Sequence, residues 1–192
     1  MRIISGKFKN KKLDFPENSK TRPLKNSVRE NIFNILSHSN HVSVNIKNSN
    51  VLDLYSGSGS FGLECVSREA SKIFFVENDL EALTILKKNI KNLNSEKKVI
   101  IIFQDVLEFF KNLNLKLIKE KFNIIFLDPP YKDKKFIEII KKLKEKDVLN
   151  KEHILVIHRE INSKDHIDKY LNIIEKRIYG RSEVFFGRLI SN

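Results

Sequence analysis

The sequence predicts an α/β protein: a mostly parallel, doubly wound sheet of seven strands with an antiparallel last strand, preceded by a small N-terminal β-hairpin. Two observations carry this reading. From residue 51 onward, short apolar runs alternate with runs of helical spacing, the signature of repeated strand–helix–strand units and hence of a parallel sheet. At the other end, "LNIIEKRIY" and "EVFFGRLI" are separated only by a short turn at Gly180-Arg181, a join that only antiparallel neighbours can use.

The elements follow in order. "RIISG…KKLDF" reads as two short strands around a basic turn at residues 7–10, and residues 16–24, with Pro16 and Pro23, as an extended connection. "SVRENIFNILS" carries Val28, Ile32, Ile35 and Leu36 at helical spacing, and a polar joint spans residues 38–50. Strands are then expected at 51–55, 72–77, 98–103, 123–128 and 153–158, with helices at 62–69, 80–93, 106–113 and 136–146. The first, third and fourth of these strands are almost continuously apolar, as strands covered on both faces must be. Residues 1–25 form the candidate appendage and residues 26–192 the main domain.

Composition narrows the class. A hydrophobic fraction of 41% with 14 Phe describes a folded globule. The single cysteine, Cys65, excludes an internal disulfide and suits a reducing cytoplasm. The longest apolar runs, such as "VIIIF" at 99–103, are too short to cross a bilayer, so no membrane partner is expected. The five histidines suggest no metal cluster, and His158 reads as a surface residue at a strand end. The net charge is +12, dominated by Lys, which base composition alone can also produce. Its distribution is more telling: residues 1–30 hold nine Lys/Arg against three acids, half of the excess. The N-terminus therefore reads as a phosphate-contacting arm, with a solvated charge run as the alternative.

The loop "YSGSGSFG" puts Gly57, Gly59 and Gly62 between the first core strand and a helix, with Glu77 at the end of the next strand. This is the spacing of a nucleotide-binding loop, and by itself it serves NAD equally well. Asp53, four residues before Gly57, tilts the balance, because a carboxylate there repels a pyrophosphate and favours a cationic ligand. S-adenosylmethionine is such a ligand, with Glu77 accepting from its ribose hydroxyls. Asp105 either accepts from the adenine amine or caps a helix with Glu108 as capping-box partner.

The run "FNIIFLDPPY" ends a core strand in Asp128, Pro129, Pro130 and Tyr131, where ligands of open parallel sheets bind. Prolines fix the local backbone, Asp128 and the Pro129 carbonyl offer acceptors, and Tyr131 offers a stacking face. Two acceptors and a ring suit a planar exocyclic amine, whose delocalised lone pair must be freed before it can take a methyl group.

"DPPY" with "VLDLYSGSGSFGLE" resembles the amino-methyltransferases that act on nucleobases. Together with "RIISGKFKNKKL", "TRPLKNSVRENIFNIL" and "YGRSEVFF", in this order, the chain resembles the bacterial 16S ribosomal RNA guanine-N2 methyltransferases of the RsmD type along nearly its whole length. The resemblance implies a Rossmann-like class I methyltransferase fold. It implies S-adenosylmethionine as donor and a guanine of 16S RNA, in the small subunit or its assembly intermediate, as acceptor; apart from the resemblance, a monomer is expected. It implies Asp53, Gly57, Gly59, Glu77, Asp105 and Val106 as donor-site residues. Asp128, Pro129 and Tyr131 are implied at the target base. Arg22 and Arg29 fall in the matching N-terminal motif, and Arg2, Lys9, Lys11 and Lys12 complete the expected RNA contacts. The chain departs from the pattern at Ser5-Gly6, where Gly-Gly is common, and at Leu24, where Thr is common. Two alternatives stay open: a DNA adenine-N6 methyltransferase, which would share the DPPY motif, and a non-catalytic ribosome-assembly or RNA-binding factor with the same shape.

Overall fold

The computed structural model describes residues 1–16, 24–42, 44–113, 120–130, 133, 135–161, 163 and 165–190. Seven strands, β1 (Asn50–Leu54), β2 (Lys72–Glu77), β3 (Val99–Phe103), β4 (Phe122–Leu127), β5 (Leu149–Glu160), β6 (Leu171–Tyr179) and β7 (Ser182–Leu189), form one sheet in the order β3-β2-β1-β4-β5-β7-β6. β1 to β5 run parallel, and β7 lies antiparallel to both β5 and β6. Among the described residues five α-helices accompany them, α1 (Asn26–His38) before the sheet and α2 (Ser60–Ser67), α3 (Leu80–Asn92), α4 (Val106–Lys111) and α5 (Phe136–Glu145) between its parallel strands. No helix among the described residues is long and apolar enough to cross a membrane.

Two hydrophobic clusters cover the two faces of the sheet. Val51, Ile73, Phe75, Ile124, Phe126 and Val156 pack under α1, α2 and α3. Their chain neighbours Leu52, Phe74, Val76, Ile125, Leu127 and Leu155 pack with α4 and α5. Alternation along each strand separates the two sets, because successive side chains leave a strand on opposite faces. A fully buried ring stack, Phe33–Phe61–Phe126, joins α1, α2 and β4, with centroids 5.0 and 4.1 Å apart.

One strand departs from expectation. β3 reads as doubly covered, yet its residues are half-buried and Phe103 is 53% exposed. The sheet order places β3 at the edge, and an edge strand has a neighbour on one side only. Hydrophobicity encodes how much a strand can bury, and topology decides how much it does.

The N-terminal hairpin forms with one bridge, Arg2 to Lys12, flanked by Ile3 N–H to Lys11 O and Leu13 N–H to Met1 O, both 2.9 Å. It shares a core with the sheet: Ile3 and Leu13 are each 1% exposed and belong to the α1–α3 cluster. Its tip is bolted to α2. The buried Glu64 carboxylate accepts from Ile4 N–H (2.7 Å) and Ser5 N–H (3.0 Å), and Ser67 O accepts from Lys7 N–H at 2.8 Å. The approach is so close that a Cβ on Gly6 would lie 2.0 Å from Ser67 O, which is why glycine stands there.

Candidate active site

The carboxyl ends of β1, β2 and β4 meet at the centre of the sheet, where strand order reverses around β1. Asp53, Glu77, Asp128 and His158 all leave the sheet on its α1–α3 face, by the same alternation that sorts the core. In a chain of net charge +12, acids converge here: Asp128 and Glu77 both act on Asp53, and Asp133 and Asp105 both act on Tyr55.

The glycine loop follows β1. Tyr55 opens it at φ +61°, a left-handed conformation that is costly for a bulky side chain, about 1–3 kcal/mol. A hydrogen bond holds it there: the Tyr55 hydroxyl donates to Asp133 Oδ2 at 2.9 Å. Burial and that carboxylate raise the phenol's pKa, so it stays a donor. Gly57 and Gly59 take φ +55° and +80°, and Gly59 caps the start of α2. A Cβ at Gly57 would meet nothing within 4 Å, so the loop backbone there is open to a ligand.

Glu77 ties this loop to β2. Its Oε2 accepts from Gly57 N–H at 2.6 Å, and its Oε1 from Asn78 and Asp79 N–H at 2.8 Å each. Three amides occupy part of the carboxylate's roughly four acceptor positions, leaving capacity for a ligand hydroxyl. Asp53 lies beneath the loop. It is 1% exposed, accepts from Gly62 N–H at 2.9 Å, and is pushed well above the usual carboxylate range by burial. It braces β1 against α2. Asp105 caps α4, its Oδ1 accepting from Leu107 N–H (2.8 Å) and Glu108 N–H (3.3 Å), while Glu108 pairs with Lys111 at 2.7 Å. Val106 buries its side chain in the α4–α5 cluster, so only its backbone can meet a ligand.

Asp128 follows β4 with its side chain 21% exposed, and Pro129 behind it is buried. Asp128 Oδ1 lies 2.7 Å from His158 Nδ1 on β5. An ionised carboxylate can only accept, so this nitrogen carries the proton in that pair. The expectation that His158 is a surface residue is wrong: it is 6% exposed and orients Asp128. The turn beyond is clamped by Arg159, which is 1% exposed. Its guanidinium pairs with Asp165 at 2.8 Å, donates to Pro130 O and Asp133 O at 3.2 Å each, and stacks 4.3 Å from the Phe136 ring centroid. Nothing in the local sequence marked His158 or Arg159. Their position on the adjacent strand, just past Ile157, the register partner of Leu127, is what brings them to the site.

Among the expected RNA contacts, Arg2, Lys9, Lys11 and Lys12 are exposed on the hairpin. Arg29 is not. It is fully buried and donates to Arg2 O, to Ser60 O at 3.3 Å and to Met1 Sδ at 3.1 Å, so it is a structural strut and cannot meet a phosphate. Burial lowers its pKa, and Glu64 opposes that shift. Arg22 and Tyr131 lie outside the described residues.

A family model described as "Conserved hypothetical protein 95" matches residues 1–188. The chain belongs to this family. It is 33% identical over 183 residues (95% of this chain, 90% of the relative) to a protein of Buchnera aphidicola subsp. Acyrthosiphon pisum named "Ribosomal RNA small subunit methyltransferase D". A protein of the same name from Escherichia coli K12 is 27% identical over 190 residues, covering 94% and 90% of the two chains. Among solved structures, yhhF of Escherichia coli, described as a candidate methyltransferase, superposes with a TM-score of 0.82 at 25% identity, over 98% of this chain and 97% of that one. HI0767 of Haemophilus influenzae, described as a candidate methylase, does so with a TM-score of 0.77 at 26% identity, over 99% and 98%. The RsmD-type resemblance of the motifs and the class I methyltransferase fold they implied therefore both hold.

Proposed function

We infer that this protein transfers a methyl group from S-adenosylmethionine to ribosomal RNA, at the exocyclic N2 amine of a guanine in the 16S RNA of the small subunit or its assembly intermediate. The observation that carries the reading is the meeting of Asp128–Pro129 with the glycine loop and Glu77 at adjacent strand ends. A cationic donor fits this place, because the carboxylates of Glu77 and Asp128 stand at neighbouring strand ends and the open backbone at Gly57 admits it. Glu77 and the loop would hold the donor. When bound, S-adenosylmethionine supplies an electrophilic methyl group together with its leaving group.

The rest is done by the chain. Asp128, aimed by His158, and the Pro129 carbonyl hold the two amine hydrogens, which frees the nitrogen lone pair for attack in line. Pro130 O is already engaged by Arg159 and by Asp133 N–H, so it is not one of the two acceptors. After transfer the nitrogen is cationic and acidic, and it releases its proton toward Asp128 or water. Tyr131 stacks on the base. The exposed hairpin charges Arg2, Lys9, Lys11 and Lys12, with Arg22, contact phosphates. The protein acts as a monomer in the cytoplasm, where its substrate is made.

Labelled S-adenosylmethionine, incubated with the protein and separately with small subunits, naked 16S RNA and duplex DNA, tests this. Label is expected as N2-methylguanine in RNA or subunits, falling steeply with salt. Neutralising Lys9, Lys11 and Lys12 should reduce the log–log salt slope by ~0.7–0.9 per lost contact. Label in adenine of DNA would favour the DNA reading, and label in none would favour the assembly-factor reading.

Glu77→Ala should weaken binding of S-adenosylhomocysteine by ~1.5–3 kcal/mol, one charge-assisted bond, and should also loosen the loop that the carboxylate ties down. Glu77→Gln keeps one acceptor oxygen and should fall between. Calorimetry with unchanged affinity in both variants would remove Glu77 from the donor site.

A further inference from the structure

Two buried side chains that the chemistry does not use join the hairpin to the glycine loop. Asn89 of α3 is fully buried. Its Oδ1 accepts from Asp14 N–H at 2.8 Å, and its Nδ2 donates to Asp14 O and to Ser58 O, both at 3.0 Å. One amide therefore holds the end of the hairpin's second strand and the middle of the glycine loop. Arg29 repeats the arrangement on the other side, donating to Arg2 O of the first strand and to Ser60 O just past the loop. Between these struts, Glu64 and Ser67 of α2 fasten the hairpin tip.

A buried amide cannot exchange its partners for water. If Ser58 O moves, Asn89 must follow it and carry Asp14 along, or leave a polar group unsatisfied. We propose that Asn89 is a positioning residue that couples the donor loop to the basic hairpin, so that each is ordered when the other binds its ligand. This rests on the reading of the loop as donor site and the hairpin as RNA contact. The coupling is reciprocal by linkage: whatever factor the donor adds to RNA affinity, RNA adds to donor affinity. Its consequence is that RNA is held more firmly when the donor loop is occupied than when it is empty.

Hydrogen exchange with S-adenosylhomocysteine as the probe tests this. In the wild type, the amides of the 56–60 loop should be protected, and those of Ile3, Leu13 and Asp14 should slow by about fivefold or more, the low end of ordinary coupling factors. In Asn89→Ala the loop should still respond and the hairpin should not. A second readout separates coupling from mere support. The ratio of the S-adenosylhomocysteine Kd without and with a 16S RNA transcript should be about fivefold or more in the wild type and close to one in Asn89→Ala. A purely structural role moves both constants together and leaves the ratio intact. Should Asn89→Ala not fold, Asn89→Ser, whose shorter side chain cannot reach both Asp14 O and Ser58 O, is expected to uncouple likewise. A protected loop with an unresponsive hairpin in the wild type would overturn the coupling alone. An unprotected loop would overturn the donor-site reading and the coupling with it.

Discussion

Replacing Asp128 with alanine should slow single-turnover methyl transfer about 10- to 150-fold, the loss of one strong hydrogen bond of ~1.5–3 kcal/mol plus some positioning. A guanine amine is far too weak an acid for a carboxylate to deprotonate before attack. On the proposed mechanism Asp128 therefore acts by accepting a hydrogen bond, and the proton leaves only once the nitrogen is cationic. The 2.7 Å contact with His158 fixes which way the carboxyl group points. Asp128→Asn retains an acceptor oxygen, so its rate should lie between wild type and alanine at saturating donor and RNA. S-adenosylhomocysteine affinity should hardly change, since the Glu77 side of the site is untouched. His158→Ala should lower the rate less than Asp128→Ala, because it removes orientation and leaves the acceptor. An asparagine variant as inactive as the alanine one would mean that the negative charge itself is required.

Arg159→Leu should be the most destabilising single change in the site, by roughly 3–5 kcal/mol. The guanidinium is 1% exposed, and its loss strands Asp165 and the carbonyls of Pro130 and Asp133. For a domain of this size that corresponds to about 6–20 °C in Tm. Arg159→Lys should recover little. A single ammonium cannot fork to Asp165, Pro130 O and Asp133 O together, nor stack on Phe136 as a planar guanidinium does. Because the clamp holds the turn that carries Pro129 and Pro130, methyl transfer should fall along with stability, while hairpin contacts with RNA phosphates persist. Thermal and denaturant unfolding decide it. A loss below about 1 kcal/mol would place Arg159 among ordinary surface pairs and refute the clamp.

Periodicity along the chain was enough to place the strands and helices within two residues, save that β5 begins four residues early, at Leu149. Local motifs were enough to put the glycine loop, Glu77 and Asp128 at the ends of strands, since each sits where a strand gives way to a turn. Of the two roles open to Asp105 in the sequence, the fold displays the cap: its Oδ1 accepts from Leu107 N–H at the start of α4.

Other features were invisible to any local reading because they are long-range. His158 and Arg159 lie 30 residues or so beyond Asp128, and only the pairing of β4 with β5 makes them its partners. Arg29 looked like an RNA contact because arginine in a basic segment is usually solvated. Folding the hairpin back over α1 and α2 turned it inward to the carbonyls of Arg2 and Ser60. The burial of Asp53 and the exposure of β3 are hidden from a local reading for the same reason, since burial belongs to the assembled sheet and not to a residue. What the amino-acid order determined by itself was which segments pair with water and which with apolar surface, and which turns carry chemistry. What only the tertiary structure decided was which of those turns share a face, which charges are sealed, and which side chains hold them, because contacts across the sheet depend on strand order and register.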